Sequence, residues 1–379
     1  MAIIKTGAID LLLEKMIDRN GTDLLLTPGA PALCRIDGQM VPVDDASPLS
    51  LTESAELILS CLTKETQAEL EVDRECDFAF YWRHTARFRG NAFYQRGSLA
   101  LALRLIPMTI PRIEDVGLPA IVNDLIALPQ GLVLVTGPTG SGKSTTLAAI
   151  INFINQTRQA HIITIEDPIE YVHEHGRCAI NQREVGEDTH SFARALRSVL
   201  REDPDIVLVG EMRDPESIQT TLTIAETGHL VFASLHTNDA STAIDRIVDV
   251  FPTDRQSQIR VQLASTLAGV VAQRLVPRVE LGRVAAFEIL VATPAVRNLI
   301  RMGKTSQIRN VIMTSRHEGM QTLEMSLSDL VQQGTITYDA AIGHSVVPTD
   351  VSQPSRSASP SRPVHGLESI AAGVVRRRR

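Results

Sequence analysis

The stretch Gly131 to Thr146, GLVLVTGPTGSGKSTT, carries the residues best suited to chemistry. Gly137, Gly142, Lys143 and Ser144 complete the spacing G-x-x-x-x-G-K-[ST] just after an apolar run, Leu132 to Val135, that reads as a buried strand. Glycines at 137, 140 and 142 let the backbone aim its N–H groups at one point, and a helix opening near Lys143 adds the positive end of its dipole there. A polyphosphate fits a cradle built from Gly137, Pro138, Thr139, Gly140, Ser141, Gly142, Lys143, Ser144 and Thr145. In it Lys143 reaches for the β- and γ-phosphates, and the Ser144 hydroxyl is a ligand for Mg2+. The bland alternative, a glycine-rich turn that binds nothing, does not require strand, loop and helix in this order. The chain is expected to bind a nucleoside triphosphate.

Splitting that triphosphate needs a metal, a positioned water and positive charge on the transferring phosphoryl group. The strand Ile162 to Ile165 ends in Glu166-Asp167-Pro168-Ile169-Glu170, a cluster of carboxylates from which one can orient or deprotonate water. The strand Ile206 to Val209 ends in Gly210-Glu211, which resembles the Walker B pattern of an apolar run followed by a metal-holding acid. An acid at such a place can also cap a helix. The segment TGHLVFASLHTNDAS sets His229 and His236 at the two ends of one strand. His236, at the carboxyl end, is placed to sense phosphate by hydrogen bonding. His229, at the other end, reads as an anchor for the strand or a contact with a neighbour.

These groups need a frame. From Ile121 onward helices and strands alternate: helix to Leu128, strand Leu132 to Val135, helix Ser144 to Asn155, strand Ile162 to Ile165, helix Ser191 to Arg201 and strand Ile206 to Val209. Helix Pro215 to Glu226, strand His229 to Ala233, and helices Ser241 to Val248 and Thr253 to Gln273 follow. Such alternation predicts an α/β fold with a parallel sheet buried on both faces and ligands at the carboxyl ends of its strands. Residues 1–107 read as a mixed α/β domain, with a first helix, a helix Leu51 to Leu70, and strands Ala86 to Tyr94 and Leu99 to Ile106. Period-two alternation puts Arg87, Arg89 and Asn91 on one strand face, and Arg104 opposite the Leu99 to Leu105 series. By pattern alone that face is a solvated surface. The helix from Phe192 carries Arg194, Arg197 and Arg201 near one face, either solvated or at a subunit boundary. Prolines 107, 111 and 119 mark a linker at 108–119, so the P-loop domain spans 120–346. Residues 347–379, rich in Pro, Ser and Arg and ending in four arginines, are expected to be disordered.

Composition narrows the classes. A length of 379 residues with 44% hydrophobic content suits two globular domains. The formal charge of −7 argues against a generic nucleic-acid binder, which needs a basic surface. No apolar run approaches the roughly 18 residues of a membrane span. The amino terminus, with Asp10 and Glu14 among apolar residues, reads as an amphipathic helix and not a signal peptide, which points to the cytoplasm. Cys34, Cys61, Cys76 and Cys178 form no C-x-x-C pair, so structural zinc is not expected.

At this level the motifs resemble the secretion-type ATPases of type IV pili and type II secretion, and within them the PilT-type retraction motors. GPTGSGKST is similar to that family's Walker A loop, IEDPIEY to its aspartate box, LREDPDIVLVGEMRD to its atypical Walker B and TGHLVFASLHT to its histidine box. The resemblance runs from about Ile9 to Ile342. It implies a PAS-like N-terminal domain and a RecA-like ATPase domain, with ATP and Mg2+ as cofactors. Carried over residue by residue, it implies Glu170 as catalytic base, Glu211 as Walker B acid, and His229 with His236 as the histidine-box pair. Arg89 and Arg104, in RFRGNAF and ALRLIP, match arginines extended toward nucleotide, and the implied homo-hexamer lets them serve a neighbour's site. No tetracysteine insert of the extension motors is present, and AVRNLIRMGK, Ala295 to Lys304, is similar to the AIRNLIRE signature of retraction motors, with Met302 in place of the final acid. As a bare helix, Ala295, Leu299 and Met302 form an apolar stripe that reads as core packing.

The resemblance thus implies an ATP-driven motor that depolymerises a pilus from the inner face of the cell membrane, acting on an inner-membrane platform protein. A PilU-like accessory motor working beside a companion retraction motor is the nearest alternative. A nucleotide-sensing regulator and a nucleic-acid translocase are readings from other classes. The intact carboxylates count against the first and the acidic balance against the second.

Overall fold

Alternating burial along short strands builds the first sheet. The computed structural model describes residues 7–353 apart from 37, 45–46, 84–85, 107–108 and 281. Strands β1 (Asp23–Leu26), β2 (Leu33–Ile36), β3 (Gln39–Pro42), β4 (Glu75–Trp82), β5 (Ala86–Gln95) and β6 (Ser98–Ile106) pair antiparallel in the order β3-β2-β1-β6-β5-β4. One face, with Phe78, Phe80, Phe88 and Leu103, shares a core with Ile9, Leu13 and Ile58 from two helices. Gly90 is required there, since a Cβ would lie 2.5 Å from the Phe78 ring. On β5 the opposite face carries Arg87, Arg89 and Asn91, as period two demands. The helix expected over Leu51 to Leu70 is in fact two, Leu51–Ser60 and Lys64–Asp73. Thr63 breaks it by accepting the N–H of Thr66 as an N-cap, and Ser50 with Glu53 forms a capping box for the first helix.

The second sheet holds β7 (Gly131–Thr136), β8 (His161–Glu166), β9 (Ala179–Glu184), β10 (Ile206–Val209), β11 (Leu230–Leu235), β12 (Leu267–Pro277) and β13 (Arg283–Val291). Their order is β13-β12-β7-β11-β10-β8-β9, parallel except for the β12–β13 pair. Every residue of β7, β10 and β11 is buried, because helices cover both faces of the sheet. The fold is therefore mixed α/β with a mostly parallel second sheet.

The helix expected to run from Thr253 to Gln273 stops at Thr266, and the chain continues directly as β12. Gly269 disfavours helix and the β-branched Val270 and Val271 favour extended backbone, and in that form they cover the edge of β7 that would otherwise lie open. The linker region also holds structure. Ile113–Val116 makes a helical turn whose Ile113 joins the core beneath the sheet. Order continues beyond the expected boundary at 346, for Val351 packs with Val276, Leu323 and Leu327, and Asp350 pairs with Arg309 at 2.9 Å. The remainder of the expected tail, residues 354–379, lies outside the described residues.

Glu288 on β13 is 5% exposed and accepts the N–H of Ala240 at 2.9 Å. Burial pushes its carboxyl up from an ordinary 4.5 to about 7. A raised carboxyl is neutral in both states below the unfolded value. As pH rises from there to about 7 the unfolded form gains charge first, and stability is lost across that window. Glu288→Gln, which keeps the oxygen for Ala240, should stabilise the fold at pH 8 by on the order of 2 kcal/mol and leave it little changed at pH 4. Urea titrations at the two pH values would show it, and an equal effect at both would contradict it.

Candidate active site

The carboxyl ends of β7, β8, β10 and β11 converge on a cleft of about 710 Å3. The loop after β7 reaches it through positive φ angles at Gly137, Gly140 and Gly142, of 150°, 76° and 90°. Gly137 admits no side chain, since a Cβ would sit 2.4 Å from the Gln273 carbonyl oxygen. The helix Lys143–Thr157 begins at Gly142 with no side-chain cap and no acid in its first turn, so its positive end faces the cleft uncompensated. Lys143 Nζ folds back on its own loop, donating to Gly137 O at 3.0 Å and Pro138 O at 3.2 Å. Burial lowers its pKa, while Glu211 and Glu170 oppose that shift. The buried hydroxyls of Ser141 and Thr146 have no protein partner. An ammonium turned back onto loop carbonyls, an open helix end and orphaned hydroxyls are the features a polyphosphate would complete.

Geometry separates the carboxylates after β8. Glu166 accepts from Thr164 Oγ1 at 2.6 Å, from Gln182 Nε2 at 3.2 Å and from the Glu170 backbone N–H, and burial raises its pKa to about 6. It folds the loop. Asp167 takes Arg213 at 3.5 Å. Glu170 is exposed to the cleft, and among the described residues its side chain has no hydrogen-bond partner. It is the carboxylate left free for a water.

Glu211 lies between Arg213 and His236. Its Oε2 accepts Arg213 Nε at 2.8 Å, and its Oε1 is 3.2 Å from His236 Nε2. His236 Nδ1 stands 3.4 Å from Lys143 Nζ. Since an ammonium can only donate, Nδ1 accepts and the proton sits on Nε2, directed at Glu211. His236 thus links the cradle lysine to the Walker B-like acid. Ser144 and Glu211 both line the cleft and offer the hydroxyl and carboxylate oxygens that Mg2+ prefers, with waters completing its shell. Among the described residues there is no cluster of three or more His, Cys, Asp or Glu that could hold a metal alone.

Arg89 and Arg104 face each other across β5 and β6 and line the same cleft. Like charges directly opposite are unfavourable in a sheet, so a solvated face is a poor account of this pair. Arg104 Nε is held by Asp23 at 2.8 Å, and Arg89 has no hydrogen-bond partner among the described residues. His229 is not brought to the cleft. It sits before β11, its Nδ1 3.0 Å from Ile224 O, at the end of the strand remote from His236. Six residues of extended chain, roughly 20 Å, separate the two rings. A direct role for His229 at this chain's own phosphates does not fit that placement, whereas anchoring does. Arg197 pairs with Glu216.

Other residues at the site were not singled out by the sequence reading. Gln273, two per cent exposed on β12, donates to Ser141 O at 2.6 Å and braces the cradle. Tyr171 shares a 3.0 Å hydrogen bond with Thr145, and Arg213 and Arg283 also line the cleft. Arg213 and Tyr171 had a hint, since they lie in the motifs LREDPDIVLVGEMRD and IEDPIEY. In the helix Pro294–Arg301 the buried residues are Val296 and Ile300; of the expected stripe Leu299 packs half-buried against the same core, whereas Ala295 is exposed. Met302 follows the helix and is exposed. Arg297 turns back to the carbonyls of Ala264, Ser265 and Ala292 at 2.6 to 2.9 Å, and that sets the helix rotation.

Residues 112–281 match the family described as "Type II/IV secretion system protein". The chain is 46% identical to the "Type IV pilus retractation ATPase PilT" of Pseudomonas aeruginosa over 89% of its length and 98% of that protein. It is 40% identical to the "Type IV pilus ATPase PilU" of the same organism, over 96% of this chain and 95% of that one. A crystal structure of the pilus retraction motor PilT with bound ADP superposes with a TM-score of 0.86 at 48% identity, covering 90% of this chain and 98% of the other.

Proposed function

The chain belongs to the type II/IV secretion ATPase family, and from that membership we propose that it is an ATP-hydrolysing motor of type IV pilus retraction. The observation that carries the reading is the meeting of Lys143, Glu170, Glu211 and His236 in one cleft, in a chain matched over 89% of its length by a retraction ATPase. The cradle residues 137–145 bind the phosphates through backbone N–H groups, with Lys143 exchanging loop carbonyls for phosphate oxygens. Glu170 orients and deprotonates the attacking water. His236 and Arg213 hold Glu211 in place, and His236 passes the state of the phosphates between Lys143 and Glu211. Ser144 and Glu211 would hold Mg2+, whose chemistry there would be to neutralise phosphate charge.

Six copies form a ring in this reading, and Arg89 and Arg104 bring positive charge to the γ-phosphate from the amino-terminal sheet, their own or a neighbour's. Hydrolysis then loosens the sheet from the nucleotide and drives rigid-body motion. The ring works in the cytoplasm at the inner face of the membrane, on a platform protein there. No helix among the described residues is long and apolar enough to cross a membrane. Arg89→Ala and Arg104→Ala are each expected to lower kcat about tenfold or more in assembled rings. Normal hydrolysis by both, measured on rings verified by light scattering, would end the arginine assignment.

An accessory role is favoured by one observation, the PilU match that extends over 96% of the chain. Pilus retraction in a strain lacking this chain, with and without the companion motor, separates the two: a primary motor's loss stops retraction even when the companion is present.

A further inference from the structure

Arg87 and Glu184 are buried where the amino-terminal sheet meets the second sheet, at 4% and 6% exposure. Arg87 Nη2 donates to Glu184 Oε2 at 2.5 Å. Among the described residues this is the ion pair that joins the portion before residue 107 to the portion after 108. Every other one lies within one portion. A buried pair is a weak source of net stability, because desolvation offsets its attraction. Its placement calls for another reason.

Glu184 closes β9 in register with Glu166, where the carboxylate loop leaves β8. The oxygen that receives Arg87 also accepts the N–H of Ile169 at 3.2 Å, and Ile169 immediately precedes Glu170. The backbone of Glu184 is pinned, its N–H donating to Asp188 Oδ2 at 2.9 Å and its carbonyl accepting from Asp188 and Thr189. One anchored carboxylate therefore grips the amino-terminal sheet with one bond and the loop presenting Glu170 with another. On the same face of β5, two residues along, Arg89 lines the phosphate cleft.

We propose that Arg87 and Glu184 are positioning residues that set the place of the Glu170 carboxylate according to how the amino-terminal sheet is seated. With the sheet seated, Glu184 is compensated and holds Ile169. When the sheet withdraws, Arg87 leaves, and a buried carboxylate cannot remain where it is without a cation. Glu184 turns toward water and releases the Ile169 N–H, and Glu170 loses its position. Seating and catalytic competence thereby switch together. The inference rests on Glu170 acting as the base.

The test uses the full chain as the assembled ring, measuring kcat, KM for ATP, ADP affinity and melting temperature. Glu184→Leu removes the acceptor and should lower kcat about tenfold or more with ADP affinity within about twofold, since neither partner hydrogen-bonds the phosphate cradle. Glu184→Gln keeps an oxygen for Ile169 and should regain most of that rate. Arg87→Lys should likewise recover part of what Arg87→Met loses. A purely structural pair would shift melting temperature yet leave kcat per folded chain alike in Leu and Gln variants. A folded Glu184→Leu with wild-type kcat, or one whose kcat and ADP affinity fall together, overturns the proposal. If Glu184→Leu does not fold, Arg87→Met decides, and an unchanged kcat there overturns it. Failure of the functional reading shows separately, as wild-type turnover by Glu170→Gln.

Discussion

Lys143→Ala is expected to fold normally and to lose ATP turnover by about a hundredfold or more. The side chain is nearly buried, and its ammonium is bonded to the carbonyls of Gly137 and Pro138, with His236 beyond. Those carbonyls belong to a loop whose shape is set by glycine conformations and by the Gln273 brace, so truncation leaves the backbone in place. What disappears is the mobile positive charge that offsets charge developing on the transferring phosphoryl group. At a position as buried as that of Lys143 the loss amounts to several kcal/mol. Phosphate-release assays alongside circular dichroism would show a folded, inactive protein. Undiminished hydrolysis would mean that the phosphates lie elsewhere.

Glu170→Gln should reduce kcat by roughly a hundredfold to ten-thousandfold while ADP affinity changes little. The substitution keeps shape and removes only the ability to take a proton. The neighbouring acids serve as internal controls, because their carboxylates are already engaged. Glu166 is tied to Thr164 and Gln182, and Asp167 faces Arg213. Asp167→Asn should therefore cost far less rate than Glu170→Gln. A reversal of that order, in a steady-state comparison of the two variants, would move the base assignment to Asp167.

The parts of this site that the sequence declares are those written in local backbone chemistry. A glycine at each left-handed position, an apolar strand before and a helix after leave one arrangement for residues 131–146, and the structure adopts it. Acids at the ends of β8 and β10 are legible for the same reason. What escapes is set by partners distant in the chain. Leu267–Pro277 continues a helical stretch in pattern, and only the open edge of β7 makes it a strand that puts Gln273 beneath the cradle. The polar edge strand β9, AINQRE, carries no apolar alternation, so neither it nor Glu184 was legible. Arg87 looks like any other arginine on a strand face until Glu184, 97 residues away, meets it in a dry interface. The arginines at 89 and 104 read as solvent-facing by pattern alone; it is the family resemblance that aims them at nucleotide, and they do line the cleft. Assignments to helix faces fail more subtly, as in Pro294–Arg301, where Arg297 bonding to carbonyls of a preceding helix decides the rotation.

The central claim is that this cleft binds ATP and splits it repeatedly, and the most direct measurement is phosphate released per chain over time from Mg-ATP by the purified, assembled protein. The account predicts linear release through many equivalents, abolished in Lys143→Ala. Release that stops at one equivalent per chain or fewer, with ATP still in excess, would contradict it.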